Sequence, residues 1–144
     1  MLQPLCLPAP SVCQQEPHRQ AQCKEEAELI KSSKNITTFY AHQIRQNNNW
    51  IEQAANALGD IVYITIDADG FDPSVVPSVG TAEPGGLYWE EVNQLLEHVV
   101  KIKNVIGFDI VEIAPAKGQI LSEYAMAKLA YRLMGFITKK KMLL

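Results

Sequence analysis

The sequence predicts an α/β fold built on a mainly parallel sheet, and three observations predict it. Ile61 to Ile66 (IVYITI) and Val105 to Ile113 (VIGFDIVEI) are runs of β-branched, aromatic and other apolar residues, the mark of strands buried on both faces. Between them, Tyr88 to Lys103 places Val92, Leu95, Leu96, Val99 and Val100 at helical spacing. Strand, helix and strand in that order imply a right-handed crossover between parallel neighbours. A length of 144 residues, 47% of them hydrophobic, suits one ordinary domain with a real core.

The elements follow in order. Met1 to Cys23 holds four of the eight prolines, five glutamines and no periodic apolar pattern. Such a stretch gains too little burial to offset its ordering entropy, so residues 1–23 are expected to be a disordered or foreign head. From Lys24 the sequence becomes regular, and 24–144 is expected to be the folded unit. Lys24 to Lys31 reads as a short helical piece, and Ile36 to Tyr40 as a β-prone run, the third visible strand. Asn49 to Leu58 reads as a helix stopped by Gly59. After IVYITI comes a turn-rich loop with Pro73, Pro77, Gly80, Pro84, Gly85 and Gly86. Ser122 to Phe136 is the last predicted helix, with an apolar stripe of Met126, Leu129, Ala130, Leu133 and Ile137.

Charge narrows the function classes. Thirteen Lys and Arg against sixteen Asp and Glu give a net charge of −3, unlike the strongly basic surface of a nucleic-acid binder. No apolar run approaches the roughly 20 residues of a membrane span. No Lys or Arg precedes Arg19, and Pro4, Pro8 and Pro10 interrupt the first apolar stretch, so a secretory signal is not expected. The expectation is a soluble, cytoplasmic protein without nucleic-acid or membrane partners. Cys6, Cys13 and Cys23 match no paired-cysteine spacing and read as free thiols.

In an open α/β sheet, ligands bind beyond the carboxyl ends of the strands. The first buried run ends in Asp67-Ala68-Asp69-Gly70-Phe71-Asp72-Pro73, and the second carries Glu112 near its end. Neighbouring strands would bring Asp67, Asp69 and Glu112 to one rim. Carboxylates gathered there repel one another and stay ionised only if a cation, donors or water compensates them. An Asp-x-Asp pair at a strand end can direct oxygen ligands at a divalent ion, yet Asp, Gly and Pro also form ordinary turns. An EF-hand loop is excluded: counting from Asp67, Asp72 falls where the glycine belongs. There is no GxSxG, phosphate loop, GxGxxG or HExxH. Gly85-Gly86 could bind an anion at a helix start or simply permit a tight turn. His18, His42 and His98 are scattered, and Lys139 to Lys141 read as a solvated tail that suits a helix end.

Two segments resemble a known family. Val62 to Pro73, continuing through Gly80-Thr81-Ala82-Glu83-Pro84-Gly85-Gly86-Leu87, resembles the ureohydrolase (arginase and agmatinase) family, and Gly107 to Pro115 (GFDIVEIAP) is similar to its next signature. The resemblance spans Lys24 to Ile137, and the Glu-Pro-Gly-Gly-Leu wording looks more like agmatinases than arginases. It implies a three-layer α/β/α domain and a binuclear manganese hydrolase that splits a guanidino group into an amine and urea. By motif position, Asp67 would bridge two Mn²⁺ ions and Asp69 would bind one. Glu112 would accept hydrogen bonds from the substrate guanidinium, and Thr81 would line the site. Asp72 and Asp109 would support the loop and the strand. A small guanidino substrate such as agmatine, polyamine metabolism and a homo-oligomer are implied with them.

The family's upstream Gly-Gly-Asp-His and Asp-x-His-x-Asp segments, which supply the other four metal ligands, do not occur in these 144 residues. The resemblance is therefore to the C-terminal half of the domain, with no complete catalytic set. Two expectations follow: an incomplete ureohydrolase, inactive as this isolated chain, or a non-catalytic or complementing subunit that associates, through an exposed sheet edge, with a partner supplying the missing half. A plain α/β domain whose acids are only turn residues is a third.

Overall fold

The computed structural model describes residues 3–7, 28, 30–33 and 36–143. Its strands are β1 (Gln3–Leu7), β2 (Ile61–Asp67) and β3 (Asn104–Val111), parallel throughout and ordered β1-β2-β3. The helices with defined bounds are α1 (Ala41–Ile44), α2 (Trp50–Asn56), α3 (Trp89–Ile102) and α4 (Leu121–Met142). The β2–α3–β3 crossover and the α/β class are as the apolar periodicity predicts.

β2 alternates. Val62, Ile64 and Ile66 are buried in one core cluster with Val92, Leu96 and Val99 of α3 and Met126, Leu129 and Leu133 of α4. Tyr63 and Thr65, pointing to the other face, are only half-buried. The expectation of a strand buried on both faces is therefore corrected: the described helices cover one face fully. β3 follows the same division after a register shift. Val62 pairs with Val105 but Tyr63 pairs with Gly107, so Ile106 is the extra residue and stands exposed. Beyond it, Phe108 and Ile110 pack on the core, while Asp109 and Val111 pair with Thr65 and Asp67 on the opposite face.

Three other expectations are revised. Ile36 to Tyr40 forms no strand: its β-prone composition is a weak preference that the tertiary setting overrides. The third strand is instead Gln3–Leu7, within the stretch for which the sequence offered no element; residues 8–23 lie outside the described residues, as does most of the Lys24–Lys31 helix. At a sheet edge the N–H missing from Pro4 is tolerated. The final helix begins at Leu121 and runs to Met142, so Lys139, Lys140 and Lys141 lie in its last turn rather than in a tail. There their charge complements the helix dipole, and the Lys140 ammonium donates to the Lys103 carbonyl at 2.7 Å.

Candidate functional site

The site lies at the carboxyl ends of β2 and β3, which are neighbours. Asp67 closes β2, and a single 3₁₀ turn, Ala68–Gly70, follows it. The Asp67 carboxylate accepts the Asp69 backbone N–H at 2.9 Å, which caps that turn and fixes both side chains at the rim. Asp67 is 8% exposed and Asp69 is 5% exposed. Burial pushes the Asp67 carboxyl up to about 6; the Asp69 N–H opposes this, and the charges of Asp69 and Glu112 add to it. Val111 pairs with Asp67, so Glu112 follows at the same strand end, and Glu112 itself is exposed.

Asp69 is held from the loop. The Thr81 backbone N–H donates to Asp69 Oδ2 at 3.2 Å, and the Thr81 hydroxyl donates to the same oxygen. Its other oxygen, Oδ1, is buried with no hydrogen-bond partner among the described residues. A buried carboxylate oxygen without a donor is costly, and such an atom signals a missing ligand or water.

The loop between β2 and α3 is tied at several points. Leu87 N–H donates to the Gly70 carbonyl at 2.8 Å, and Asp72 N–H donates to the Leu87 carbonyl at 3.0 Å. The Asp72 carboxylate accepts Ser74 N–H at 3.0 Å, the Ser74 hydroxyl at 2.6 Å and Gly85 N–H at 2.9 Å. Those donors, Ser74 foremost, hold Asp72 below the ordinary carboxylate range. Gly85 has φ +91°, a conformation that favours glycine. Gly85-Gly86 thus makes a tight turn, with the Gly85 N–H already given to Asp72. At the start of α3, Glu91 accepts the Tyr88 N–H at 2.7 Å, so the Tyr88 amide has its partner at the helix start.

Glu112 has φ +62°, the one non-glycine residue in the left-handed region among the described residues. Its backbone is pinned on both sides. Val111 pairs with Asp67, Ile113 bridges Val79, and Ala114 N–H donates to the Ser78 carbonyl at 3.0 Å. Asp109 lies farther back on the strand, where the Tyr63 hydroxyl donates to its Oδ2 at 3.1 Å. That hydrogen bond, with burial and the Asp109 charge, raises the Tyr63 hydroxyl above its usual value. Asp109 Oδ1 is also buried and unpartnered among the described residues.

Two contributors carry no motif that sequence reading could seize on. Arg45, just after α1, donates to the Gly85 carbonyl at 3.1 Å and to the Gly86 carbonyl, pairs with Glu91 at 3.4 Å and lies 4.9 Å above the Tyr88 ring. The hydroxyl of the fully buried Ser122, in the first turn of α4, accepts Ser78 N–H at 2.8 Å. His42 stacks on Tyr40 and His98 sits on α3, both apart from the acids.

The Asp67–Asp69 pair fits part of a hard cation's donor set: two buried carboxylates at one strand end, one with a free oxygen. It does not fit a whole one, since no group of three or more His, Cys, Asp or Glu able to hold a metal occurs among the described residues.

The arginase-family model matches residues 15–135. The chain belongs to the arginase family. It is 49% identical over 115 residues to the N(1)-aminopropylagmatine ureohydrolase of Synechocystis, which covers 79% of this chain and 37% of that protein. A Thermus thermophilus protein of the same name is 43% identical over 106 residues, 74% of this chain and 36% of its own length. The crystal structure of a hypothetical agmatinase from Burkholderia thailandensis matches with a TM-score of 0.68 and 27% identity, over 76% of this chain and 36% of that one. The chain thus spans little more than a third of the length of the arginase-family relatives it matches. Among the described residues, no helix is long and apolar enough to cross a membrane.

Proposed function

We propose that this chain supplies one part of a ureohydrolase site for a linear guanidino amine, agmatine or an N(1)-substituted agmatine, and that it does not turn substrate over by itself. The observation that carries the reading is the buried Asp67–Asp69 pair, with an unsatisfied Asp69 oxygen, beside a Glu112 held in a left-handed backbone. In this reading Asp67 and Asp69 are manganese ligands of a centre whose remaining ligands lie outside these 144 residues. No hydrolytic step is assigned to the pair alone. Glu112 is the acceptor for the guanidinium, a charge-assisted pairing that an exposed carboxylate at the rim can make. Thr81 orients Asp69, Asp72 fixes the Gly85-Gly86 turn, and Asp109 holds Tyr63. The names of the relatives support the substrate class, and that class fits a role in cytoplasmic polyamine metabolism.

A second reading, a non-catalytic or complementing subunit, is favoured by the half-covered sheet face that bears Tyr63, Thr65 and the unpartnered Asp109 Oδ1. Manganese titration calorimetry and a urea-release assay test both readings. The parent chain should bind Mn²⁺ weakly, and Asp67→Asn and Asp69→Asn should each abolish the heat. Equal binding by parent and variants would remove the metal role. Robust manganese-dependent urea release from agmatine or N(1)-aminopropylagmatine by the chain alone would overturn the incomplete-site reading.

A further inference from the structure

The acids of the rim come from two strands, whose ends must be held to one another. The pairing of Val111 with Asp67 is the last step of the β2–β3 ladder. Glu112 leaves that step with φ +62°, an angle that lasts in a non-glycine residue only where its surroundings impose it. Beyond this point the loop takes over from the ladder. The Ser78 carbonyl accepts Ala114 N–H at 3.0 Å, and Val79 bridges Ile113. Farther along the same segment, the Thr81 N–H and hydroxyl both donate to Asp69 Oδ2. Ser78 to Thr81 is thus a short span that holds the residues after Glu112 at one end and Asp69 at the other.

The span is fixed to the body of the fold through its first residue. Pro77, just ahead, has no N–H to give. The Ser78 N–H donates to the Ser122 hydroxyl at 2.8 Å. Ser122 is fully buried and Ser78 is 7% exposed, so water does not readily replace that acceptor once it is lost. Ser122 in turn is carried by α4, whose Ala125, Met126 and Leu129 sit in the core. We propose that Ser122 is a positioning residue of the site: by fixing Ser78 it holds the Ser78–Thr81 span, and through the span it sets Glu112 and Asp69 relative to each other. The proposal rests on the roles given above to those two acids. It brings α4 into a site otherwise built from β2, β3 and the loop. The bonds from Asp69 N–H to Asp67, Gly85 N–H to Asp72 and Leu87 N–H to the Gly70 carbonyl are separate ties that do not run through Ser78.

Amide hydrogen exchange of the isotope-labelled full chain tests this, with Ser122→Ala removing the acceptor and Ser122→Thr keeping the hydroxyl. In Ser122→Ala the amides of Ser78, Thr81 and Ala114 should exchange at least about tenfold faster, the consequence of leaving one buried N–H unpaired. Those of Asp69, Gly85 and Leu87 should change by less than about twofold, because their bonds lie outside the span. Ser122→Thr should stay close to the parent. Should Ser122→Ala not fold, Ser122→Cys carries the same test, since its sulfur fills the place of the hydroxyl but is a weak acceptor. Titration with millimolar agmatine, followed at the Glu112 side-chain carboxyl resonance, gives the second readout. Ser122→Ala should weaken that response about tenfold, as one misplaced charge-assisted acceptor does, and Ser122→Thr should retain it. Acceleration spread evenly over all of these amides would reduce Ser122 to a packing role and overturn the proposal, as would unchanged exchange at Thr81 and Ala114. A parent whose Glu112 resonance ignores agmatine would overturn the guanidinium role of Glu112, and the exchange pattern would then decide the positioning role by itself.

Discussion

Gly86 is the position where a single methyl group should do most damage to the site's frame. A Cβ built there would lie 2.5 Å from the Phe71 carbonyl carbon, 2.6 Å from the Asp72 nitrogen and 2.7 Å from the Phe71 oxygen. All three are backbone atoms, so no rotamer change relieves the clash. Ordinary contact begins near 3.4 Å, which requires a displacement of roughly 0.9 Å. The two hydrogen bonds joining Gly70 and Asp72 to Leu87 bracket that point and would stretch first. Overpacking of this kind costs about 1–3 kcal/mol, and two weakened hydrogen bonds add about 1 kcal/mol, giving about 2–4 kcal/mol for Gly86→Ala. Urea denaturation followed by circular dichroism at pH 7 measures it, with Gly80→Ala as the control, since nothing lies within 4 Å of a Cβ there. Equal stability of the two variants, or a Gly86→Ala loss below about 0.5 kcal/mol, would refute the argument that backbone contact forbids a side chain at this turn.

Other perturbations test other parts of the site. Asp67 titrates near 6 in the fold against 3.8 for an ordinary aspartate, so its contribution to stability is fully present below pH 3.8 and is lost as pH rises through 6. The full shift corresponds to about 3 kcal/mol, which screening at the rim reduces to about 1–2 kcal/mol. Asp67→Asn should therefore stabilise the chain at pH 7 by about that amount and flatten its stability between pH 4 and 7, as denaturation midpoints across that range will show. Glu112→Gly should be neutral or stabilising by up to about 1 kcal/mol, because glycine tolerates φ +62°, whereas Glu112→Val should destabilise. If thermal unfolding ranks them the other way, the strain argument fails. Arg45→Ala should cost about 1–2 kcal/mol and speed amide exchange at Gly85 to Leu87; Arg45→Lys should recover little of either, since a single ammonium cannot copy the two-pronged contact. Unchanged exchange in Arg45→Ala would show that the turn stands without it.

The parts of the fold written in local pattern were legible in the sequence. The α3 periodicity and the two apolar strands fixed the crossover, and the crossover alone placed Asp67 and Glu112 on one rim. What was not legible depends on distant partners. Ile36 to Tyr40 has the composition of a strand yet forms none, while Gln3–Leu7 looks like neither strand nor helix yet lies beside β2. Arg45 reaches residues forty positions away, and Ser122, in the first turn of α4, receives an amide from the loop. Side chains that hold other elements in place leave no local signature, because their partners are set by the tertiary fold.

The extra residue at Ile106 has a consequence for how this strand can change. Side chains alternate between faces with a period of two, so one unpaired residue shifts the phase of everything after it. Asp109 shares a face with Thr65, and Phe108 and Ile110 share one with Ile64 and Ile66, only because that phase has been set once before Gly107. Between Gly107 and Glu112, a lone insertion or deletion would turn Phe108 and Ile110 outward and misplace the acids, whereas a change of two residues would preserve the parity. Ahead of the bulge, loss of Ile106 itself could be absorbed by straightening the strand. The length of β3 is thus constrained by evenness on one side of Ile106 and tolerant on the other, a boundary that a scan of single-residue deletions would reveal.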